Sequence, residues 1–149
     1  MFEIIKVFNG YSTAFREWNI KSNCKYLHGY SLSFKVWFKS DLEENSWLCN
    51  IDNFKEINFE EINSYLTNTF DHTTIIAKDD PTIEHFENLS KLDAIQLIIL
   101  ESVGFEDFAQ YVFTLIDKHV RDQTNSRVMV IQVQCFEDGT NNSAIYKRQ

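Results

Sequence analysis

One proline and four glycines in 149 residues leave little material for linkers, low-complexity tracts or collagen-like repeats. Basic residues are also scarce: 14 Lys and Arg stand against 22 Asp and Glu, a formal net charge of −8. Such a surface repels phosphate backbones and anionic lipids, which argues against a general nucleic-acid binder. A small anionic substrate met by a local basic cluster stays compatible with it. The three cysteines, Cys24, Cys49 and Cys135, are odd in number and widely spaced. They read as cytosolic thiols and not as a disulfide framework. No uncharged apolar run is long enough to span a bilayer, the stretch 95–100 being far too short. Residues 1–6 show no basic segment followed by an apolar run, so a signal peptide is not visible and a cytoplasmic protein is expected. No internal repeat is present.

What the chain does have is apolar bulk. A hydrophobic fraction of 44% with thirteen Phe suits one globular domain over residues 1–149. Residues 2–8 are rich in β-formers and are followed by Asn9-Gly10, a turn signal. Residues 30–38 alternate, with Tyr30, Leu32, Phe34, Val36 and Phe38 on one face, as a half-buried strand requires. Residues 57–70 carry Ile57, Ile62, Tyr65 and Leu66 near helical spacing, and Pro81 opens a short helix to about residue 89. The stretch 95–100 reads as a short buried strand. Residues 105–120 form the clearest helical stripe, through Phe105, Phe108, Ala109, Val112, Phe113, Ile116 and Val120. A strand over 127–137 and a last one over 143–146 follow.

The expected order is therefore ββααββ with an insertion around 78–103. It makes an α+β fold in which two main helices cover one face of a four-stranded antiparallel sheet. The open edges of so short a sheet invite pairing with further copies of the chain, so oligomerisation is expected.

Several short strings carry chemistry. Tyr11-Ser12-Thr13-Ala14-Phe15 is followed by Cys24 and by Leu27-His28-Gly29-Tyr30. Asn50-Ile51-Asp52-Asn53-Phe54-Lys55 comes next, then Phe70-Asp71-His72, then Gly104-Phe105-Glu106, and last Glu137 with Asn142-Ser143-Ala144-Ile145-Tyr146. In that order, over almost the whole chain, they resemble the motifs of the 6-pyruvoyl/6-carboxytetrahydropterin synthase family. Those motifs are aromatic-Ser-Ala-Ala-His, Cys, Leu-His-Gly-His, Asp-Phe-x-x-Leu-Lys, Leu-Asp-His, Pro-Thr-x-Glu, and a Glu before a small-residue turn and a Tyr. The literal string Pro81-Thr82-Ile83-Glu84 is a second match to Pro-Thr-x-Glu, which leaves Glu84 as an alternative to Glu106; Glu106 is preferred because its helix leads directly into the strand bearing Glu137.

The resemblance implies a tunnelling fold, a trimer-based or hexameric barrel, and a site shared between neighbouring subunits. It also implies a carbon–oxygen lyase acting on a 7,8-dihydroneopterin triphosphate-like pterin in a pterin or queuosine-precursor pathway. Cys24 would be the general base, with Asp71 and His72 as relay and proton donor, and Glu106 and Glu137 would recognise the pterin ring. Family members hold zinc through three histidines, at the positions of Phe15, His28 and Tyr30 here. Only His28 survives, so no bound metal or other cofactor is expected and the chemistry would be altered or metal-independent, such as retro-aldol cleavage of a pterin side chain with His28 or Tyr30 handling protons. Arg16, Lys21 and Lys25 flank the site as possible partners for a phosphate. His85 and His119 read as surface groups, and Asp79-Asp80 as a solvated turn. The alternative to an enzyme is a non-catalytic pterin- or purine-binding protein of the same fold.

Overall fold

The computed structural model describes residues 3–40 and 57–149. Two long strands open the chain, β1 (Ile4–Phe15) and β2 (His28–Ser40). They are followed by helix α1 (Phe59–Phe70), strand β3 (Thr73–Ala77), helix α2 (Ile83–Lys91) and strand β4 (Leu97–Leu100). Helix α3 (Phe105–Thr124) then leads into β5 (Val128–Glu137) and β6 (Ser143–Lys147). Among the described residues, no helix is long and apolar enough to cross a membrane.

The strands form one mixed sheet in the order β4-β3-β1-β2-β5-β6. Neighbours β1, β2, β5 and β6 are antiparallel, which is the four-stranded unit expected. Strand β3 was not expected. It lies parallel to β1 through Thr13–Thr73, Ala14–Thr74 and Phe15–Ile75, and β4 lies parallel to β3 outside it. The sheet therefore has six strands instead of four. The missed strand is five residues long and all of them are buried, a pattern that alternation cannot reveal.

Two local irregularities keep the core face continuous. Asn9-Gly10 does not end β1; the strand runs through it with a register shift between Phe8 and Tyr11. Gly10 takes a φ of 84°, and the extra residue puts Phe8 and Tyr11 on the same side, so the buried series Ile4, Phe8, Tyr11, Thr13, Phe15 survives the change of parity. In β5 the register shifts opposite Trp37 and Phe38, so Val128 and Val130 are buried, Ile131 is not, and Val133 and Cys135 resume the core face.

Helix α1 packs on β1 and β3, α3 on β5 and β6, and α2 beside β3 and β4. Asn58 caps α1 by accepting the Glu61 amide at 3.0 Å, and α3 ends at Asn125 in the left-handed conformation. Between helices and sheet lie Phe15, Leu32, Phe34, Phe38, Ile62, Leu66, Phe70, Phe108, Ile116 and Val133, each essentially without solvent contact. Burial of side chains of this size contributes ~1.5–3 kcal/mol apiece.

Two polar residues expected at the surface are withdrawn from it, Asp80 fully and His119 in part. Asp80, expected in a solvated turn, is 2% exposed. It accepts from the Thr82 amide and hydroxyl, and its Oδ2 lies 3.1 Å from Arg16 Nε. His119, expected at the surface, keeps only 14% of its side chain exposed, with Glu61 3.7 Å from Nε2 and the Tyr65 ring edge-on. His85 is exposed, as expected.

Candidate functional site

The ends of three strands and the start of α3 meet at one corner. Phe15 closes β1 opposite His28, which opens β2, and Thr13 pairs with Tyr30. The loop between these strands carries a 3-10 turn at Asn23–Lys25, capped where Ser22 Oγ accepts the Cys24 amide at 3.2 Å. The Glu17 amide donates to the Cys24 carbonyl at 2.9 Å, so the loop is folded back on itself and Cys24 is held over the strand ends. Glu137 ends β5 opposite Leu32. The result is a cleft of about 520 Å³ lined by Phe15, Glu17, Cys24, Tyr30, Phe105, Glu106 and Glu137, with His28, Ile20 and the 141–143 turn at its rim.

Its wall is aromatic. The Phe15 and Tyr30 rings stack with centroids 3.9 Å apart and planes 11° from parallel. Phe105 meets both edge-on at 6.1 and 5.8 Å, and Phe108 closes the back against Phe15 at 4.9 Å. Tyr30 Oη lies 2.7 Å from His28 Nε2 in hydrogen-bond contact. Burial, then the nearby Cys24, Glu17 and Glu137, pushes the Tyr30 phenol up to about 12. It is therefore a neutral hydroxyl at physiological pH.

Carboxylates fill the opposite side. Glu17, Glu106 and Asp107 converge on Gly104, the residue that caps α3 with a φ of 155°. A Cβ at Gly104 would fall 2.6 Å from Glu17 Oε1, 3.3 Å from Asp107 Oδ2 and 3.5 Å from Glu106 Oε2. The close approach of Glu17 thus depends on the bare backbone there. Burial first, then Glu106 and Asp107, raises the Glu17 carboxyl above its usual range. Asp107 is raised in the same direction by burial and Glu106. Glu17 belongs to no motif string, and sequence reasoning missed it.

Glu137 is held from its own turn. Its Oε2 accepts from Asn142 Nδ2 at 3.1 Å and from Thr140 Oγ1 at 3.4 Å. The next residue, Asp138, accepts from Ser31 Oγ at 2.7 Å and Ser33 Oγ at 2.6 Å, and its amide donates to Ser31 O at 2.8 Å. This second clasp pins the β5–β6 turn to β2.

Three of the five expected acid–base and recognition residues, Cys24, Glu106 and Glu137, therefore share one cleft. Glu84 is exposed on α2 and is not part of it. Asp71 and His72 are not part of it either. They occupy the corner between α1 and β3, where Asp71 Oδ1 accepts the Ser12 amide at 3.0 Å and Oδ2 lies 2.9 Å from His72 Nδ1. The Ser12 bond is the largest influence holding the Asp71 carboxyl below its usual range. His72 adopts a left-handed backbone (φ 57°), uncommon for a residue with a side chain, and 78% of that side chain faces solvent. The segment 50–55 and Cys49 lie outside the described residues.

The positions matched to zinc donors do not suit the ion. Phe15 offers no donor atom, the Tyr30 phenol stays protonated and bonded to His28, and one imidazole is left where stable sites use three or four donors. Among the described residues, no group of three or more His, Cys, Asp or Glu side chains is arranged to hold a metal. No step through zinc is drawn from this site.

Comparison with known proteins bears on the family and the fold. The protein-family model described as 6-pyruvoyl tetrahydropterin synthase matches residues 4–149. No curated protein sequence matches significantly. Among solved structures, an uncharacterized protein from Wolinella succinogenes is similar at 17% identity, TM-score 0.73, over 99% of this chain and 98% of that one. The 6-pyruvoyl tetrahydropterin synthase of Plasmodium vivax superposes at TM-score 0.59 with 10% identity over 99% of both chains. That of Plasmodium falciparum does so at 0.52 with 15% identity over 98% of both. At these identities the superpositions speak for the fold, while the match over nearly the full length speaks for descent: the chain belongs to the 6-pyruvoyl tetrahydropterin synthase family.

Proposed function

We propose that the cleft binds a pterin-like heterocycle and that the protein acts on the side chain of that ligand as a lyase. The observation that carries this reading is the gathering of Cys24, Glu106 and Glu137, far apart in sequence, around one aromatic-walled cleft. A carboxylate held at the end of a strand suits the paired N–H donors of a 2-amino heterocycle, because it accepts two parallel hydrogen bonds. Both bonds that Glu137 already receives fall on Oε2. Tyr30 and Phe105 supply faces and edges against which a flat ring packs.

Proton transfer is the chemistry these side chains offer. Cys24 acts as the base when an imidazole favours its thiolate. The Tyr30–His28 pair passes or returns a proton within the same cleft. A retro-aldol cleavage needs nothing more: a base takes the proton of a side-chain hydroxyl, the adjacent carbon–carbon bond breaks, and the ring-conjugated carbon is protonated.

Asp71 and His72 complete the set from a neighbouring subunit. Support comes from their position outside the Cys24 cleft, with an imidazole oriented by a carboxylate yet facing solvent. Homo-oligomers, trimer-based or hexameric, are part of the proposal, supported by that arrangement and by the sheet edges at β4 and β6. The same separation, with the loss of zinc donors, favours the second reading, a binder without turnover. A cytoplasmic setting is part of the proposal and is supported by the free thiols Cys24 and Cys135.

Incubating the protein with a dihydropterin bearing a hydroxylated side chain, and following products by chromatography, tests the lyase. Turnover abolished in Cys24→Ala supports it; no turnover by the parent leaves the binder. Pterin affinity unchanged in both Glu137→Ala and Glu106→Ala sinks the recognition site for either reading.

A further inference from the structure

The turn after β3 grips the loop that carries Cys24. Strands β1 and β3 run parallel with Phe15 beside Ile75, and β3 continues to Ala77 after β1 has ended. Residues 16–18 therefore leave the sheet alongside the last residues of β3 and meet Asp79 and Asp80, the pair expected as a solvated turn. Arg16 Nε lies 3.1 Å from Asp80 Oδ2. Trp18 Nε1 donates to Asp79 Oδ1 at 3.2 Å. The side chains of the alternate residues 16 and 18 are thus both committed to one two-residue turn.

That turn is fixed from several sides. Asp80 Oδ1 accepts the Thr82 amide at 2.8 Å and the Thr82 hydroxyl at 2.7 Å. The Asp80 amide donates to the Ala77 carbonyl at 3.0 Å, and the Ile83 amide donates to the Asp80 carbonyl at 3.1 Å. The residue is held between the end of β3 and the start of α2. Its side chain has no solvent contact, while Arg16 keeps 21% of its own exposed. A carboxylate withdrawn this far from water needs its cation, so the pair is costly to break from either side.

Between the two anchored side chains sits Glu17. Its amide donates to the Cys24 carbonyl at 2.9 Å, and its carbonyl accepts the Ile20 amide at 3.3 Å. With positions 16 and 18 pinned, the orientation of the Glu17 peptide is set, and through it the 3-10 turn of Cys24 hangs from the sheet. The path runs from Asp80 through Arg16 and Glu17 to Cys24, and each step is a contact within one chain.

We propose that the Asp79-Asp80 turn anchors the Cys24 loop, with Asp80 a positioning residue that acts on Cys24 through Arg16. The anchor is independent of any ligand; its bearing on chemistry rests on the reading of Cys24 as the base. It gives the inserted segment around 78–103 a task at the site, although its residues stay outside the lining of the cleft.

Hydrogen–deuterium exchange of the full-length protein, together with alkylation by iodoacetamide, tests the anchor. Peptide mapping by mass spectrometry reads Cys24 apart from Cys49 and Cys135. Asp80→Asn keeps an acceptor for Thr82 but removes the charge facing Arg16. Exchange across residues 16–27 should rise ~10-fold while peptides of β2 and α3 stay at the parent level. The alkylation rate at Cys24 should change at least ~3-fold. Arg16→Ala should do the same, Arg16→Lys should recover part of it, and Asp80→Asn with Arg16→Ala should do no more than either alone. Arg148→Ala, a destabilising change in the packing of α3 against β5, should leave both readouts at the Cys24 loop unchanged, which separates anchoring from a general loss of stability. Parent-like exchange and alkylation in folded Asp80→Asn overturn the proposal, and additive effects in the double variant overturn the path through Arg16. Should Asp80→Asn not fold, Arg16→Ala and Arg16→Lys carry the test, and parent-like readouts there overturn it equally. If the anchor holds while Cys24→Ala leaves turnover of a dihydropterin intact, the reading of Cys24 as the base falls and the anchor stands.

Discussion

Phe15 and Tyr30 lie face to face, their rings 3.9 Å apart, although their backbones are not directly paired: Phe15 is opposite His28 and Tyr30 is opposite Thr13. Diagonal neighbours on adjacent strands come within reach of aromatic side chains. The stack therefore brings together two positions that the motif resemblance matches to metal ligands and seals them as a hydrophobic contact. Phe15, 1% exposed, has become core.

Reversing that exchange should restore a metal site. With His28 in place, Phe15→His and Tyr30→His together supply three imidazoles at positions suited to one zinc ion. The double variant is expected to bind zinc stoichiometrically by elemental analysis and titration, and the parent to bind far less. Stoichiometric zinc in the parent would contradict the fit argued above. Phe15→Ala should cost about 3–5 kcal/mol of stability, read from denaturant unfolding.

Tyr11 and Tyr30 should ionise late. Burial followed by Asp71 lifts Tyr11 to about 12, and burial followed by Cys24, Glu17 and Glu137 lifts Tyr30 equally. The folded state favours the neutral phenol in both. Their contribution to stability is thus fully present below the ordinary tyrosine value of about 10 and is lost as pH rises through about 12. Ultraviolet difference titration should show a late phenolate fraction that shrinks in Tyr11→Phe and again in Tyr30→Phe. A single transition near the ordinary value would refute this.

The buried acid on α3 depends on the penultimate residue. Asp117 accepts the Val130 amide at 3.0 Å and meets Arg148 Nη2, while Arg148 Nε donates to the Val130 carbonyl at 2.8 Å. Arg148→Ala leaves the mostly buried carboxylate short of its nearest cation, with Arg121 no closer than 3.8 Å. A loss of about 2 kcal/mol is expected, seen as a lower urea midpoint at unchanged slope.

Asp138 is a positioning residue for Glu137. Asp138→Ala removes two side-chain hydrogen bonds to β2 and leaves the hydroxyl of Ser33, 0% exposed, without its acceptor. At ~0.5–1.5 kcal/mol per bond, pterin affinity should fall ~10-fold while circular dichroism stays native. Asp138→Glu, which keeps the charge, should recover part of it. Equal affinity in parent and Asp138→Ala would show that the turn holds Glu137 without the clasp.

The sequence made the long strands and helices readable because one face of each is buried and the spacing repeats. Strand β2 and helix α3 showed this periodicity over many residues. Strand β3 did not, because its place beside β1 depends on contacts about 60 residues apart and a strand buried along its whole length has no alternation. Strand β4 was legible as a short strand, but its place in the sheet was not. Asn9-Gly10 looked like a turn because the residues of a bulge and of a hairpin are the same. Asp80 and His119 looked like surface groups since their partners, Arg16 and Glu61, are known only from the fold. Motif order named Cys24, Glu106 and Glu137, which line one cleft, but nothing in the spacing separated Asp71-His72 from that cleft or added Glu17 to it.

Gly104 gives that last point an evolutionary edge. A glycine codon is one base change from alanine, and the methyl group would occupy the space where Glu17 Oε1 now rests. With a φ of 155° the position would also strain any residue that bears a side chain, so the step is opposed twice, by the backbone and by the carboxylate. Descendants of this chain should keep glycine here for as long as Glu17 stays in the cleft.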